Sequence, residues 1–286
     1  MPLHPALAPG RVAVITGAAS GIGFAAAMRL ASLGMKVCLA DSDSERLEKA
    51  AKAVGQNGDV MFVATDVSNA GDVERLRDAV YASYGEVAFL MNNAGTGSGG
   101  GLLGQRADWQ KTLGVNLWGV VNGIQAFVPK MLAQGTDCAV VNTGSKQGIT
   151  CPPGNTAYNV SKAGVKTVTE ALAHELRNMD GCRISAHLLI PGFTFTGMTQ
   201  GGGAKPDAAW LPEQVIDFML DAMGAGDFYI LCPDNSVTRR MDELRMRWAM
   251  DDIILNRPAL SRWHKDYEAK FAEYMKSGLI VPDGGA

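Results

Sequence analysis

TGAASGIG, residues 16–23, follows directly on the apolar run VAVIT (residues 12–16) and opens a helical pattern that continues to residue 33. This order of strand, glycine-rich turn and helix decides how the rest of the chain is read. Gly17 permits the tight turn out of the strand, Gly21 lets backbone approach a pyrophosphate, and Gly23 allows the helix to pack closely on the strand. Ser20 and Ile22 complete the turn. The helix start supplies unpaired N–H groups and the positive end of its dipole to phosphates. A glycine-rich string alone also fits a plain βα turn; its place between strand and helix is what favours a nucleotide.

Outward from this turn, apolar runs recur at residues 36–40, 60–64, 87–91, 139–143 and 184–190, with a shorter one at 228–231. They are rich in Val, Ile and Leu and lack polar alternation, as strands buried on both faces do. Helical patterns lie between them at residues 44–54, 70–84 and 108–134. The alternation predicts an α/β fold: a doubly wound parallel sheet of Rossmann type in three layers, with ligands beyond the carboxyl ends of the strands. Two stretches break the rhythm. GTGSGGGLLG (residues 95–104) reads as a flexible loop, and TQGGGAKPDAAWLP (residues 199–212) as either a lid over a bound substrate or a passive surface loop.

Composition narrows the classes of function. Of 286 residues, 47% are hydrophobic and 19% charged, which supports a sizeable core and argues against extensive disorder. A formal net charge of −3 gives no electrostatic reason to expect nucleic acid or an anionic membrane as partner. The five cysteines (Cys38, Cys138, Cys151, Cys182 and Cys232) form no CxxC pair, and the four histidines show no metal-ligand spacing. No metal is expected. MPLHPALAPG at the start lacks the basic and apolar regions of a secretory signal, and no apolar run approaches the roughly 18 residues of a membrane span. A cytoplasmic location is the resulting expectation.

Asp41 ends the second apolar run, 18 residues past Gly23. A carboxylate there accepts hydrogen bonds from both adenosine ribose hydroxyls and repels a 2′-phosphate, and no Arg or Lys lies between Ala40 and Ser44. The cofactor read from this is NAD. A helix N-cap or surface-turn acid is the competing reading of Asp41. Tyr158 and Lys162 lie four apart in YNVSK, which puts phenol and ammonium on one helix face. A phenol with a reference pKa of about 10 needs a nearby cation to act as a base near neutrality. A lone YxxxK occurs by chance in many helices.

In this order, TGAASGIG, the acidic strand end at Asp41, Asp66 with Val67, NNAG (residues 92–95), Asn116, Ser145, YNVSK (residues 158–162) and PGFTFT (residues 191–196) resemble the short-chain dehydrogenase/reductase family, in its compact single-domain branch. The resemblance covers residues 10–231; residues 232–286 form a helical extension, the whole making one Rossmann-type unit. It implies that Tyr158 is the general acid/base of an alcohol–ketone oxidoreduction. Ser145 would hydrogen-bond the substrate oxygen, and Lys162 would hold the nicotinamide ribose and favour the Tyr158 phenolate. Asn116 would anchor a water that links Lys162 to solvent, though an interior polar group of a helix is its plain alternative. Asp66 and Val67 would meet the adenine. Asn93, Ala94 and Gly95 would line the adenosine side, and Pro191, Gly192, Thr194 and Thr196 the nicotinamide. The resemblance implies a small-molecule alcohol or ketone as partner, and a homodimer or homotetramer paired through the helices that carry Asn116 and Tyr158.

Two features depart from the family pattern. CPDNSVTRR replaces a glycine-rich ending and leads into a tail with apolar residues at helical spacing: Met241, Leu244 and Trp248, then Trp263, Tyr267, Phe271 and Tyr274, with Pro258 between the sets. The tail covers the substrate cleft, meets a partner subunit, or docks on its own chain. His187, in a strand, reads as a satisfied interior histidine. Gln147 and Phe193 are placed at the substrate pocket, and with Trp210 they point to a bulky apolar substrate (aromatic, steroid-like or terpenoid). Two other functions compete: a non-catalytic NAD sensor, and a nucleotide-sugar epimerase or dehydratase, for whose larger substrate domain the chain has little room.

Overall fold

Val12–Thr16 (β1) is buried at every position, and its residues alternate between two cores. Ala13 and Ile15 face a layer built from the helices Gly21–Ser32 (α1), Ser44–Val54 (α2) and, later in the chain, Pro212–Ala225 (α8). Val12 and Val14 face the opposite layer, which includes Ala70–Tyr84 (α3), Gly119–Gln134 (α5) and Thr156–Arg177 (α7). The period of two along a strand buried on both sides produces this three-layer arrangement. The computed structural model describes residues 2–97, 100–199 and 203–280, so residues 98–99 and 200–202 of the two stretches read as loops lie outside the described residues.

The other strands are Lys36–Asp41 (β2), Val60–Ala64 (β3), Phe89–Asn92 (β4), Cys138–Thr143 (β5), Ile184–Ile190 (β6) and Tyr229–Leu231 (β7). All pair in parallel in the order β3-β2-β1-β4-β5-β6-β7. The winding direction reverses between β1 and β4, which opens a crevice above their carboxyl ends. β3 corrects the expectation of strands covered on both faces: it closes the edge of the sheet, and Phe62 is 48% exposed.

Local chemistry explains most helix ends. Asp43 caps α2 by accepting the Arg46 N–H at 3.0 Å, Asn69 caps α3 through the Gly71 N–H at 2.9 Å, and Gly85 ends α3 at φ +80°. The long pattern expected over residues 108–134 is not one regular helix. It is Arg106–Leu113 (α4), a π turn at Gly114–Trp118, and then α5. Asn116 sits in the π turn, an irregularity that recurs at functional positions.

The tail docks on its own chain. Arg239–Ile254 (α9) lies against the short helix Gln147–Thr150 (α6), and its Met246 packs on the cluster of Val165, Leu188 and Leu231. The four aromatic residues expected on one helix face do not share a helix. Trp263 and Tyr267 fall in 3-10 turns, and only Phe271 and Tyr274 belong to Glu268–Ile280 (α10), where they pack on Trp248 at 5.2 and 5.1 Å. Among the described residues no helix is long and apolar enough to cross a membrane.

Candidate active site

The glycine turn is shaped by what it touches. Gly17 has φ +65°, and a Cβ there would stand 2.7 Å from the Ala94 Cα. At Gly23 a Cβ would meet the Gly17 carbonyl oxygen at 2.3 Å, so the turn closes only around glycine. Thr16 fastens the neighbouring loop: its Oγ1 accepts the Asn93 N–H at 2.9 Å and the Ala94 N–H at 3.1 Å. The Asn93 side chain donates to the Thr16 carbonyl at 3.1 Å and accepts from Thr143 Oγ1 at 3.3 Å, tying the ends of β1, β4 and β5 together. Unlike α2 and α3, α1 has no side-chain capping bond from its N-cap, Ser20, and no acid in its first turn. Its N–H groups and dipole are left for an anion, which fits the pyrophosphate of a dinucleotide.

A cleft of about 300 Å³ runs over this turn, lined on one side by Gly17, Ser20, Gly21, Ile22 and Asp41, and on the other by Ser145, Tyr158, Lys162 and residues 191–199 except Phe193 and Phe195. Asn93, Ala94 and Gly95 form its floor. It continues past Asp41 and Gly95 into a recess of about 110 Å³ between Thr65, Asp66, Val67 and Val115. Gly23 supports the turn from beneath and is buried. Asp41 does not cap α2, since Asp43 does. One of its oxygens accepts the Ala19 N–H at 3.1 Å and the other the Asp43 N–H at 3.1 Å, which leaves each with acceptor capacity toward the cleft. Asp66 Oδ1 is engaged by the Ser68 N–H and hydroxyl at 2.9 and 2.7 Å.

Ser145, Tyr158 and Lys162 come together at the far wall. Ser145 follows β5 and bonds the Tyr158 hydroxyl, while its Oγ also accepts the Gln147 N–H at 3.1 Å. Lys162 lies one helical turn after Tyr158 on α7, with Nζ 5.8 Å from the phenol ring centre, and it donates to the Thr143 carbonyl at 2.7 Å. Burial pushes the Tyr158 phenol above its usual range, and the Ser145 hydrogen bond pulls the other way. Burial lowers the Lys162 ammonium to about 8. In both groups burial disfavours the charged form, as expected for a water-poor site.

Asn116 is fully buried and its side-chain amide is occupied: Oδ1 accepts the Thr96 N–H at 2.7 Å, and Nδ2 donates to the Thr96 carbonyl at 2.9 Å and to Ser161 Oγ at 3.1 Å. Ser161 Oγ donates onward to the Tyr158 carbonyl at 2.7 Å. The side chain thus holds the Gly95–Thr96 backbone against α7.

Other candidates fall further out. Gln147 begins α6 outside the cleft lining, and Phe193 is 39% exposed at its rim. Trp210 packs its ring on Phe218 of α8 at 5.9 Å, on the side away from the cleft. His187 is interior, with Nδ1 2.7 Å from the Asp227 carbonyl and Nε2 2.8 Å from Ser185 Oγ. Several residues at the site carry no motif signal: Thr143 through the bonds above, Met198 and Thr199 in the cleft lining, and Lys146 and Asp234 behind Ser145. Gly119 and Gly123 let α5 close on Val67 and Asn92.

The short chain dehydrogenase family pattern matches residues 11–207. The chain is 34% identical over 255 residues to the 1-deoxy-11-beta-hydroxypentalenate dehydrogenase of Streptomyces exfoliatus, spanning 85% of this chain and 88% of that protein. A short chain dehydrogenase/reductase from Burkholderia phymatum, solved in complex with NAD, superposes with a TM-score of 0.80 at 36% identity over 87% of this chain and 96% of that one. The alcohol dehydrogenase of the archaeon Thermococcus sibiricus, complexed with 5-hydroxy-NADP, gives a TM-score of 0.72 at 25% identity over 80% and 98%.

Proposed function

The chain belongs to the short-chain dehydrogenase/reductase family, and from that membership we propose that it oxidises a secondary alcohol, or reduces the ketone, with NAD. The observation that carries the reading is the meeting of Ser145, Tyr158 and Lys162 across one cleft from an uncapped helix start. The nicotinamide, when bound, accepts or donates the hydride. Ser145 then hydrogen-bonds the substrate oxygen and fixes it beside Tyr158, whose hydroxyl gives or takes the proton. Lys162 keeps one N–H on the Thr143 carbonyl and has two left for ribose hydroxyls. The Lys162 ammonium, with Nζ 5.8 Å from the phenol ring centre, favours the phenolate by its opposite charge and so works against the burial of Tyr158.

Asp41 favours NAD over its 2′-phosphorylated form, because the cleft wall beside it presents a carboxylate, no Arg or Lys lies between Ala40 and Ser44, and Arg46 is paired with Asp43 at 3.2 Å. Asp66 and Val67 take the adenine, Asn93, Ala94 and Gly95 the adenosine side, and Pro191, Gly192, Thr194 and Thr196 the nicotinamide. Asn116 positions the Lys162 proton path from the π turn. Gln147 and Phe193 border the substrate, which is a bulky apolar alcohol or ketone; Met198 in the cleft lining and the hydroxypentalenate relative support this class. Residues 10–231 act as the catalytic core and residues 232–286 as its extension. The protein works in the cytoplasm as a homodimer or homotetramer through α7 and through α5 with the π turn before it, where Val160 and Trp118 are 44% and 57% exposed.

The test is NADH formation across secondary alcohols, with NAD and NADP in parallel and Tyr158→Phe as control. Turnover with NAD that drops at least about a thousandfold in Tyr158→Phe, with NAD binding kept, is the expected result. NAD binding with no turnover of any alcohol or ketone would return the protein to the sensor reading.

A further inference from the structure

The residue after Ser145 reaches away from the cleft into the C-terminal extension. Lys146 Nζ lies 2.5 Å from Asp242 Oδ2 on α9 and 3.6 Å from Asp234 Oδ2 in the turn after β7. Both carboxylate side chains are nearly sealed from solvent, at 7% and 5% exposure. Asp234 has a second engagement: the same Oδ2 accepts the Phe193 N–H at 3.2 Å, while Oδ1 accepts the Ser236 and Val237 N–H groups at 3.0 and 2.8 Å. A Cβ on Gly192 would fall 2.7 Å from the Pro233 carbonyl oxygen, so this turn lies flush against the loop of residues 191–196. Asn235 extends the contact, donating to the Asp207 and Ala209 carbonyls at 2.7 and 3.2 Å.

Lys146 therefore joins three pieces that are distant in sequence: the loop that carries Ser145, the loop that carries Pro191–Phe193, and α9 of the extension. We propose that Lys146 is a positioning residue, which holds Ser145 Oγ at its working distance from the nicotinamide wall by means of Asp234 and Asp242. This rests on the alcohol–ketone reading of the same site. A buried ion pair is weak evidence for stability, because apolar residues of similar volume fill such a space as well. What a pair of carboxylates adds is direction: they fix the ammonium along two lines, and with it the backbone next to Ser145. A misplacement of about 1 Å in a reacting geometry costs on the order of a hundredfold in rate.

The experiment compares Lys146→Met, Lys146→Arg and the double variant Lys146→Met/Asp242→Asn with the wild-type holoenzyme. It reads kcat, KM for the alcohol, the NAD dissociation constant and Tm, with amide hydrogen exchange at residues 145–148 and 191–196. Lys146→Met should lower kcat at least about tenfold and speed exchange in both segments, with NAD affinity within about threefold of wild type. Lys146→Arg, which can keep both ion pairs, should recover most of kcat. The double variant removes the buried Asp242 charge that Lys146→Met leaves with Arg245 alone, at 3.7 Å, so it should regain Tm without regaining kcat, and it serves if Lys146→Met fails to fold. Wild-type kcat in the double variant, or Lys146→Arg no better than Lys146→Met, overturns the proposal. A wild-type enzyme with no turnover refutes the alcohol–ketone reading instead, and unchanged exchange at residues 145–148 in Lys146→Met then overturns the positioning role on its own.

Discussion

Asp41 Oδ2 accepts the Ala19 N–H at 3.1 Å, so the carboxylate that ends β2 also holds the turn that starts α1. On the NAD reading proposed above, this one group serves cofactor choice and loop shape together, and changing it acts on both.

Two substitutions at Asp41 separate these effects. Asp41→Asn keeps an oxygen for the Ala19 N–H, gives up the bond from the Asp43 N–H, and removes the charge that repels a 2′-phosphate. Its ratio of kcat/KM for NADP over NAD should rise about tenfold or more, the equivalent of about 1.4 kcal/mol. Asp41→Ala also frees the Ala19 N–H, so NAD turnover should fall with little gain for NADP. Parallel kinetics with both cofactors check this; an unchanged ratio in Asp41→Asn would assign the carboxylate to the loop alone.

Lys162 sets activity against stability. Its folded-state pKa of about 8 lies below the ordinary 10.5, so between these values the unfolded chain binds the extra proton and stability rises with pH. The burial penalty is present in full below pH 8 and is relieved as pH rises toward 10.5. The difference corresponds to about 3 kcal/mol at neutral pH. Lys162→Met escapes it and loses a hydrogen bond to the Thr143 carbonyl, whose net worth is about 1 kcal/mol. The variant should be inactive yet more stable than wild type at pH 7, with the advantage shrinking between pH 8 and 10. Denaturant titrations across that range measure it, and a less stable Lys162→Met at pH 7 would refute it.

The parts of this protein that were legible from sequence are those encoded locally. Residues 16–23 specify a turn by the absence of Cβ atoms, and Tyr158 and Lys162 share a face because they are four apart. The apolar runs marked every strand, but composition did not tell that β3 lies at the edge, since an edge strand covered by α2 on one face is nearly as apolar as a central one. The π turn at Gly114–Trp118 has no comparable signature: it is the packing of α5 on Val67 and Asn92 through Gly119 and Gly123 that shapes this region. Trp263 and Tyr267 kept helical spacing while folding as 3-10 turns, because Ser261 and Asp252 tie that segment back to α9. Lys146, Asp234 and Asp242 were not legible at all, because ion pairs between residues so far apart leave no periodicity.

Gly23→Ala tests the turn itself. The added Cβ would meet backbone, the Gly17 carbonyl oxygen, at 2.3 Å, and cannot be accommodated by a side-chain shift. The turn must open, which should cost about 2–3 kcal/mol and lower NAD affinity at least about tenfold. Gly85→Ala is the control: Gly85 sits at φ +80° with nothing within 4 Å of a new Cβ, so only backbone strain is added. That change should cost about 1 kcal/mol and leave NAD binding as it was. Calorimetric titration of NAD with thermal unfolding distinguishes the two; equal losses of affinity would show that the close approach at Gly23 is irrelevant to the cofactor.

Trp248 tests whether the extension matters to the site at a distance. The indole is 5% exposed, donates from Nε1 to Ser261 Oγ at 2.8 Å, carries the Arg257 guanidinium at 4.0 Å from its ring centre, and packs on Phe271 and Tyr274. Truncation to Ala should cost about 3–5 kcal/mol, but the contacts named here all lie within the extension. Unfolding should therefore show the extension melting early, ahead of the sheet, and limited proteolysis should cut first between α9 and α10. Because α9 carries Asp242, loosening it releases Lys146, and kcat should fall while NAD affinity holds. If Trp248→Ala lost NAD binding in step with kcat, the extension would be supporting the whole fold; a fall in kcat alone would place its influence at the Ser145 wall.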